Sequence, residues 1–176
     1  MILLSTADFV DFYFTPINPD PEGSESKLQA YIDRYERFYL RQLLGVTLAD
    51  DFITDLANAS QDVIYSVIQD PFALDDPNQQ HVQRISMGMV DMLTAFIYYH
   101  YVTDEQARNT FGGVAYNNNE ANNMADMHNA YRHAEKKYNE ALDTYNAIQW
   151  YVDEYQPTDY PDYNGVPLNV RFSPIF

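Results

Sequence analysis

The sequence predicts an all-α protein in which a helical body lies between extended amino- and carboxy-terminal arms. Between residues 24 and 156, apolar side chains recur every three or four residues, as they do along the buried face of an α-helix. Prolines and glycines concentrate in residues 1–23 and 157–176, where they would interrupt helices. The 176 residues are 46% hydrophobic, so we expect one well-packed domain over the whole chain.

Three helices are predicted in the first half of the body. The first begins at Ser26, whose hydroxyl can form a capping box with Gln29, and ends at Gly45. The second, shorter helix is capped by Thr47 and continues through residue 56. A third helix is predicted over residues 61–69.

Two long helices are predicted in the second half of the body. Asp76 followed by Pro77 is typical of a helix start, and the apolar spacing continues to about Val102. The last helix is predicted from a cap near Asn119 to Tyr155, with an unbroken three–four alternation of apolar positions. These seams favour an antiparallel hairpin with an intramolecular core; an intermolecular coiled coil is the alternative.

The connector between the two long helices contains two adjacent glycines, Gly112 and Gly113, between the apolar residues Phe111 and Val114. This pattern predicts a short β-hairpin-like loop near residues 110–116, with an ordinary helix connection as the alternative. Because the connector is longer than a helical bundle needs, we expect it to serve binding.

The sequence contains no recognisable catalytic or metal-binding motif. Cysteine is absent, which excludes disulfides and thiolate chemistry. No histidine follows a glutamate by three residues, as a carboxylate-bridged di-iron bundle requires. The calcium-loop-like segment has Tyr160 and Arg171 where carboxylate ligands belong, and phosphate-binding loops are missing. We therefore expect no enzyme, no metal and no cofactor.

The negative charge of the chain excludes several functions. Twenty-six acidic residues against 10 basic ones give a net charge of −16. DNA binding over a broad face and binding to an anionic membrane both need cationic surface, so neither is expected. No apolar run reaches membrane-spanning length, and residues 1–4 lack the basic region of a secretory signal. We predict synthesis in a cytoplasm.

Both arms contain apolar residues that can face either their own chain or a neighbouring molecule. Residues 9–14 include four aromatic side chains, and residues 168–172 alternate apolar and polar side chains as in a half-buried strand. Either the arms fold back over the helices, or they add to neighbouring subunits as extended segments can.

The order of these segments resembles the small helical head–tail connector, or adaptor, proteins of tailed bacteriophages. The resemblance lies in residues 31–45, a first helix that ends in Leu-Leu-Gly, and in the long helix over residues 87–102. It continues through the glycine-containing segment 110–114, the asparagine-rich turn and a last helix rich in Ala, Asn and Tyr. It covers most of residues 1–156, whereas the tyrosine-rich tail beyond residue 156 does not match the family pattern.

The resemblance implies a structural virion protein, made in the host cytoplasm and located at the neck between head and tail. Its copies would form a ring, twelvefold to match the portal, through which DNA passes without specific binding. The ring would contact the portal protein and further neck or tail proteins. The arms and the glycine-containing connector would then supply its interfaces. These candidate interface residues are Phe9, Phe12, Tyr13, Phe14, Phe111, Gly112, Gly113, Val114, Leu168, Val170, Phe172, Ile175 and Phe176.

Residues 45–83 contain seven acidic residues and no Lys or Arg. A positive surface binds DNA by releasing counterions from the phosphates, and a negative wall releases none. DNA would therefore slide past such a wall, and we expect some of these acids to line or flank a channel. The candidates are Asp50, Asp51, Asp55, Asp62, Asp70, Asp75 and Asp76. The alternative function is an acidic DNA mimic that inhibits a nucleic-acid-binding host protein. A helical adaptor unrelated to phage is a third hypothesis.

Overall fold

The computed structural model describes residues 2–9, 21–58, 60–79, 81–111 and 120–172; within these, side chains are described outside residues 21–26, 105–111 and 120–128. The described residues form five α-helices and one small antiparallel sheet. The helices are α1 (Pro21–Leu44), α2 (Val46–Asp55), α3 (Val63–Gln69), α4 (Met89–Phe111) and α5 (Glu120–Trp150). The strands are β1 (Phe72–Asp75) and β2 (Gln83–Ser86). A 3₁₀ turn, Thr6–Phe9, precedes α1, and a π-helical turn, Tyr151–Tyr155, follows α5.

The mainly helical fold confirms the predicted class, with corrections at the helix starts. The first helix begins at Pro21 and not at Ser26, because proline suits the first helical position. In α2 the N-cap is Gly45, with φ of 84° and no side-chain cap, where Thr47 was predicted. The third helix is capped by Asp62, whose carboxylate accepts the Ile64 N–H at 3.2 Å.

The prediction that a helix starts at Asp76 is wrong. Residues 72–86 form a β-hairpin, and α4 begins only after Gly88, which has φ of 93°. The Asp76 carboxylate accepts the N–H of Asn78 at 2.9 Å in a turn, and it also binds the Arg84 guanidinium at 3.0 Å. An aspartate followed by proline therefore starts a turn here, and strand pairing replaces the first part of the predicted helix.

The predicted β-hairpin-like loop near residues 110–116 is wrong at its start. Thr110 and Phe111 are the last residues of α4, because the helix continues through Glu105 to Arg108, all strong helix formers. Gly112, Val114 and the other connector residues up to Asn119 lie outside the described part of the chain. The predicted cap at Asn119 lies there as well.

Helices α4 and α5 contact each other through aromatic side chains. Phe96 of α4 packs against Tyr145 and Tyr138 of α5, with ring centroids 6.1 and 5.0 Å apart. Further along α4, Tyr99 contacts Tyr138 at 5.0 Å and Tyr131 at 6.4 Å. Partner numbers on α5 therefore fall as residue numbers on α4 rise. Small α5 residues between these tyrosines, such as the fully buried Ala141, leave room for the rings.

The described parts of both arms fold back onto the helices. In the amino-terminal arm, Leu4 and Phe9 are buried within the main core. In the carboxy-terminal arm, residues 157–172 have no regular strand or helix, and Tyr160 is buried in the same core. For these residues, the first of the two alternatives for the arms is the observed one.

Candidate functional site

Helix α1 presents a buried face to the core and a basic face to the surface. The three–four apolar spacing predicted for the helical body is found at Ile32, Tyr39 and Leu43, which are buried. The opposite face carries Arg34 and Arg37, both exposed. Arg37 lies three residues after Arg34, and Phe38 and Arg41 lie four residues after Arg34 and Arg37, respectively. Residues spaced by three or four are neighbours on a helix, so these side chains lie side by side.

An open groove of about 590 Å³ follows this basic face, and we call it the α1 groove. It is lined by Arg34, Arg37, Phe38, Arg41, Val46 and Val166, among others. Arg41 forms a bidentate ion pair with Asp50, with its Nη2 atom 2.9 and 3.1 Å from the two carboxylate oxygens. Within the described part of the chain, Arg34 and Arg37 form no ion pair. Asp33 also lines the groove and forms no ion pair with the described residues, so the two unpaired arginines leave an excess of positive charge there in a strongly acidic protein.

Three apolar side chains of the α1 groove are exposed to water. The exposed fractions are 50% for Phe38, 61% for Val46 and 48% for Val166. Arginine and aromatic residues next to each other are the residue types that dominate protein–protein interfaces. The groove thus has the chemistry of a protein-binding surface.

The structure divides the seven candidate channel aspartates into three sets. Asp50 and Asp76 are neutralised by Arg41 and Arg84, and Asp76 is buried. Asp55 is half-buried and accepts the backbone N–H of Asp62 at 3.0 Å. The other four are exposed and form no ion pair with the described residues. These are Asp51, Asp62, Asp70 and Asp75.

Exposed apolar side chains lie next to these free aspartates. Val63, which follows the helix cap Asp62, is 72% exposed. On the outer face of the β-hairpin, Ile85 is 55% exposed and lies two residue pairs away from Asp75. We call Asp70, Asp75 and Ile85, which lie on the β-hairpin and just before it, the acidic face. It combines negative charge with apolar area.

The buried carboxylate of Glu36 binds the amino-terminal arm. Its Oε1 atom accepts the N–H groups of Leu3 and Leu4 at 2.5 and 2.8 Å, and its Oε2 atom accepts that of Ile2 at 3.1 Å. Glu36 is only 1% exposed, so these backbone donors replace the water that its charge requires. Its function in the described structure is to hold the arm.

His100, a residue of α4, packs against α1 among aromatic side chains. The Tyr35 ring stacks on the imidazole with centroids 4.1 Å apart, and the Tyr39 hydroxyl lies 2.7 Å from Nε2. Burial lowers the pKa of His100, which the nearby Asp104 carboxylate only partly opposes. A neutral imidazole can accept the Tyr39 hydroxyl hydrogen, so this pair is suited to packing and not to metal binding.

The predicted interface residues of the arms are placed in different ways. Phe9 is buried, whereas Phe172 is half-buried and contacts Tyr99 at 4.9 Å between ring centroids. Leu168 is also half-buried against the core, and Val170 is 62% exposed. The remaining candidates have no described side chain: Phe12, Tyr13, Phe14, Phe111, Gly112, Gly113, Val114, Ile175 and Phe176.

Sequence reasoning missed Glu36 and the α1 groove, although both had a signal. Glu36 lies four residues after Ile32 and three before Tyr39, so a carboxylate occupies the apolar stripe of α1. Arg34, Arg37 and Phe38 share the opposite face at intervals that helical spacing brings together. The contribution of Val166 to the groove had no local signal.

The described residues contain no cluster of His, Cys, Asp or Glu that could hold a metal ion. Among these residues, no helix has the length and apolar character needed to cross a membrane. Comparisons with protein-family models, with curated proteins and with solved structures found no match to the chain.

Proposed function

We propose that the protein is a structural subunit of a tailed-bacteriophage head–tail connector. Copies of the chain would form a ring, twelvefold to match the portal, at the neck of the virion. The ring would join the portal protein to further neck or tail proteins and let DNA pass through its centre. In this proposal the fold is a helical bundle built around a long antiparallel hairpin of α4 and α5.

The observation that carries this proposal is the arrangement of the helices that contain the resembling residues. Helix α1 ends in Leu43-Leu44, and the turn at Gly45 leads directly into α2. Helices α4 and α5 pack through aromatic pairs whose order reverses between the two helices. At 1.5 Å per residue, α5 is about 46 Å long, a length suited to the wall of a ring.

The use of the buried polar groups supports a structural role. Glu36 holds an arm, and His100 stacks in an aromatic cluster. The hydroxyls of Tyr145 and Tyr160 donate to backbone carbonyls of Val166 and Ile64 at 2.6 and 2.5 Å. In each case the polar atom joins segments of the chain, which is the arrangement expected of a protein that must hold its shape.

The four unpaired aspartates support passage of DNA. Asp51, Asp62, Asp70 and Asp75 are exposed, so their negative charge extends into solvent. A wall of this charge repels phosphate and displaces no counterions, which keeps DNA from sticking. The same four residues favour the alternative, an acidic DNA mimic, because free carboxylates can occupy a phosphate-binding surface.

Negative-stain imaging of the purified protein, alone and with a tailed-phage portal protein, tests the proposal. We expect rings or discs that stack coaxially on the portal. The parallel measurement is inhibition of a panel of nucleases and restriction enzymes at equimolar protein. Compact complexes with a nuclease, and no contact with the portal, would contradict the connector and favour the mimic.

A further inference from the structure

We propose that the α1 groove binds the acidic face of a second copy of this chain. The inference rests on the proposed function, since it supplies the contact from which a ring can be built. It goes beyond that function because it assigns the contact to two particular surfaces. One copy contributes Arg34, Arg37 and Phe38, and its neighbour contributes Asp70 and Asp75. Of the four exposed aspartates, Asp51 and Asp62 then remain free to face the DNA.

The first argument is the distribution of exposed apolar area. Among the described residues, eight large apolar side chains are exposed. Four of the eight lie in the two surfaces, three in the α1 groove and one in the acidic face. Exposed apolar area of this kind is typical of sites where another molecule binds. The two surfaces are therefore the best candidates for protein contact in the described part of the chain.

The second argument is charge complementarity. The α1 groove has two arginines without an ion-pair partner among the described residues, while the acidic face has aspartates without one. Arginine binds carboxylates in a bidentate geometry and is weakly hydrated, so it suits a contact that excludes water. Two copies that each carry a net charge of −16 repel each other over most of their surface. The basic groove is a place where a second copy can approach with attraction.

The third argument is that the two surfaces belong to different parts of the chain. The groove is formed by α1, the start of α2 and Val166, whereas the acidic face is formed by the β-hairpin and by Asp70 just before it. A contact between unlike surfaces leaves one free groove and one free acidic face on every pair. Such head-to-tail contacts repeat and close into rings, or extend into filaments if they do not close.

Paired charge reversals test the contact. The first variant is Arg34→Glu with Arg37→Glu, and the second is Asp70→Arg with Asp75→Arg. All four side chains are exposed and form no ion pair with the described residues, so both variants should keep the wild-type far-UV circular dichroism. Each variant alone carries like charges on both surfaces, and we expect self-association at least about 100-fold weaker than that of the wild type.

Mixing the two variants is the decisive measurement. In the mixture, the reversed groove of one variant faces the reversed acidic face of the other, and the native pair of surfaces also remains available. We expect equimolar mixtures to assemble like the wild type in sedimentation velocity, with the two variants alternating. The control is Arg132→Glu with Lys136→Glu on α5, which changes the net charge by the same amount as the first variant, outside both surfaces, and should leave assembly unchanged.

Three outcomes overturn the inference: wild-type protein that stays monomeric up to about 1 mM, the weak end of specific affinities, single variants that assemble normally, or mixtures that stay monomeric. If the groove instead binds a different acidic protein, the first of these results follows. Failure of the proposed function has a separate readout. Charge-dependent assembly without portal binding would contradict the connector function and support the contact between copies. Portal-bound rings that survive both charge reversals would support the connector function and contradict the contact.

Discussion

The two arms are attached to the helices by opposite means. In the amino-terminal arm, the backbone N–H groups of Ile2, Leu3 and Leu4 all donate to one side chain, Glu36, while Leu4 and Phe9 are buried in the core. We call this attachment the clasp. The carboxy-terminal segment, residues 157–172, is held by many separate hydrogen bonds, and we call it the strap. The difference predicts how each attachment fails, since the clasp depends on one residue and the strap on several.

The strap also completes the end of α1. The N–H groups of Asn164 and Val166 donate to the carbonyls of Leu44 and Gln42 at 3.3 and 2.7 Å. These carbonyls belong to the last turn of a helix, which has no partners of its own for them. Gly165 fits between them because a Cβ atom there would clash with the Leu43 carbonyl oxygen. Backbone hydrogen bonds of this kind do not depend on side-chain identity, so the stability of the strap does not rest on any single side chain.

Alkaline pH should produce the largest difference between the two attachments. Burial raises the pKa of Tyr145 and Tyr160, whose hydroxyls hold the strap, above the ordinary 10.0, and it raises that of Tyr163 to about 12. A raised folded-state pKa stabilises the fold fully below pH 10, and this contribution is lost as pH rises from 10 through the folded-state values. We expect the free energy of unfolding in urea to fall steeply above pH 10.

Two variants separate the strap from the other buried tyrosines in that titration. Tyr145→Phe with Tyr160→Phe removes two of the titrating hydroxyls, so its stability should fall less between pH 10 and 12 than that of the wild type. Glu36→Ala should keep the wild-type slope, because the clasp does not involve a tyrosine. A slope that is the same in all three proteins would show that the strap does not contribute.

The second largest effect is expected at the clasp. Glu36→Ala leaves three backbone donors without an acceptor, one of them on the buried Leu4. An unsatisfied buried donor costs about 1–3 kcal/mol, and some of the arm can regain water by detaching, so we expect a loss of about 3 kcal/mol. Urea unfolding at pH 7 measures it.

Asp33→Ala is the matched control for the clasp. Asp33 lies one turn earlier on α1, is exposed, and accepts only the side-chain amide of Gln29 within its own helix, at 2.8 Å. We expect a change of less than about 0.5 kcal/mol there. A similar loss in both variants would mean that the Glu36 effect arises from the helix and not from the arm.

A smaller effect is expected when one hydrogen bond of the strap is removed. Tyr145→Phe deletes a hydroxyl that donates to the Val166 carbonyl at 2.6 Å, while the ring still packs against Phe96. Because Gln149 also donates to that carbonyl at 3.2 Å, the acceptor stays satisfied, and we expect a loss of about 1 kcal/mol. Tyr155→Phe, at an exposed ring, should change stability by less; equal losses would contradict a specific role for the Tyr145 hydroxyl.

The sequence predicts the helices well because their apolar spacing is long and regular. The prediction of a helix failed at residues 72–86 for a physical reason. An aspartate that accepts the N–H two residues ahead begins both a helix and a turn, and Pro77 suits both positions. Val82 and Ile85 are three residues apart, which fits a helix, yet Ile85 belongs to a strand that pairs with β1. Only the pairing partner distinguishes the two structures.

The attachments and the α1 groove were harder to predict because they join distant residues. The clasp connects positions 32 to 34 residues apart, and the Tyr160 hydroxyl reaches a carbonyl 96 residues away. A backbone N–H or carbonyl has the same chemistry at every position, so it leaves no mark in the sequence. Only the side-chain half of each contact, such as a carboxylate within the apolar stripe of α1, could have indicated it.

The smallest effect is expected at the end of the strap. Arg171 forms an ion pair with Asp143, but the two side chains are 55% and 60% exposed. Exposed ion pairs contribute little, because water screens the charges and both side chains lose freedom. We expect Arg171→Ala to lower the free energy of unfolding by less than about 0.5 kcal/mol, and the difference to vanish in 1 M salt.

Close by, the Asn139 side chain binds the backbone N–H and carbonyl of Phe172 at 3.0 and 2.9 Å, so Asn139→Ala should cost more. If Arg171→Ala were the more damaging of the two, the strap would be held by charge at its end and the contrast with the clasp would be lost.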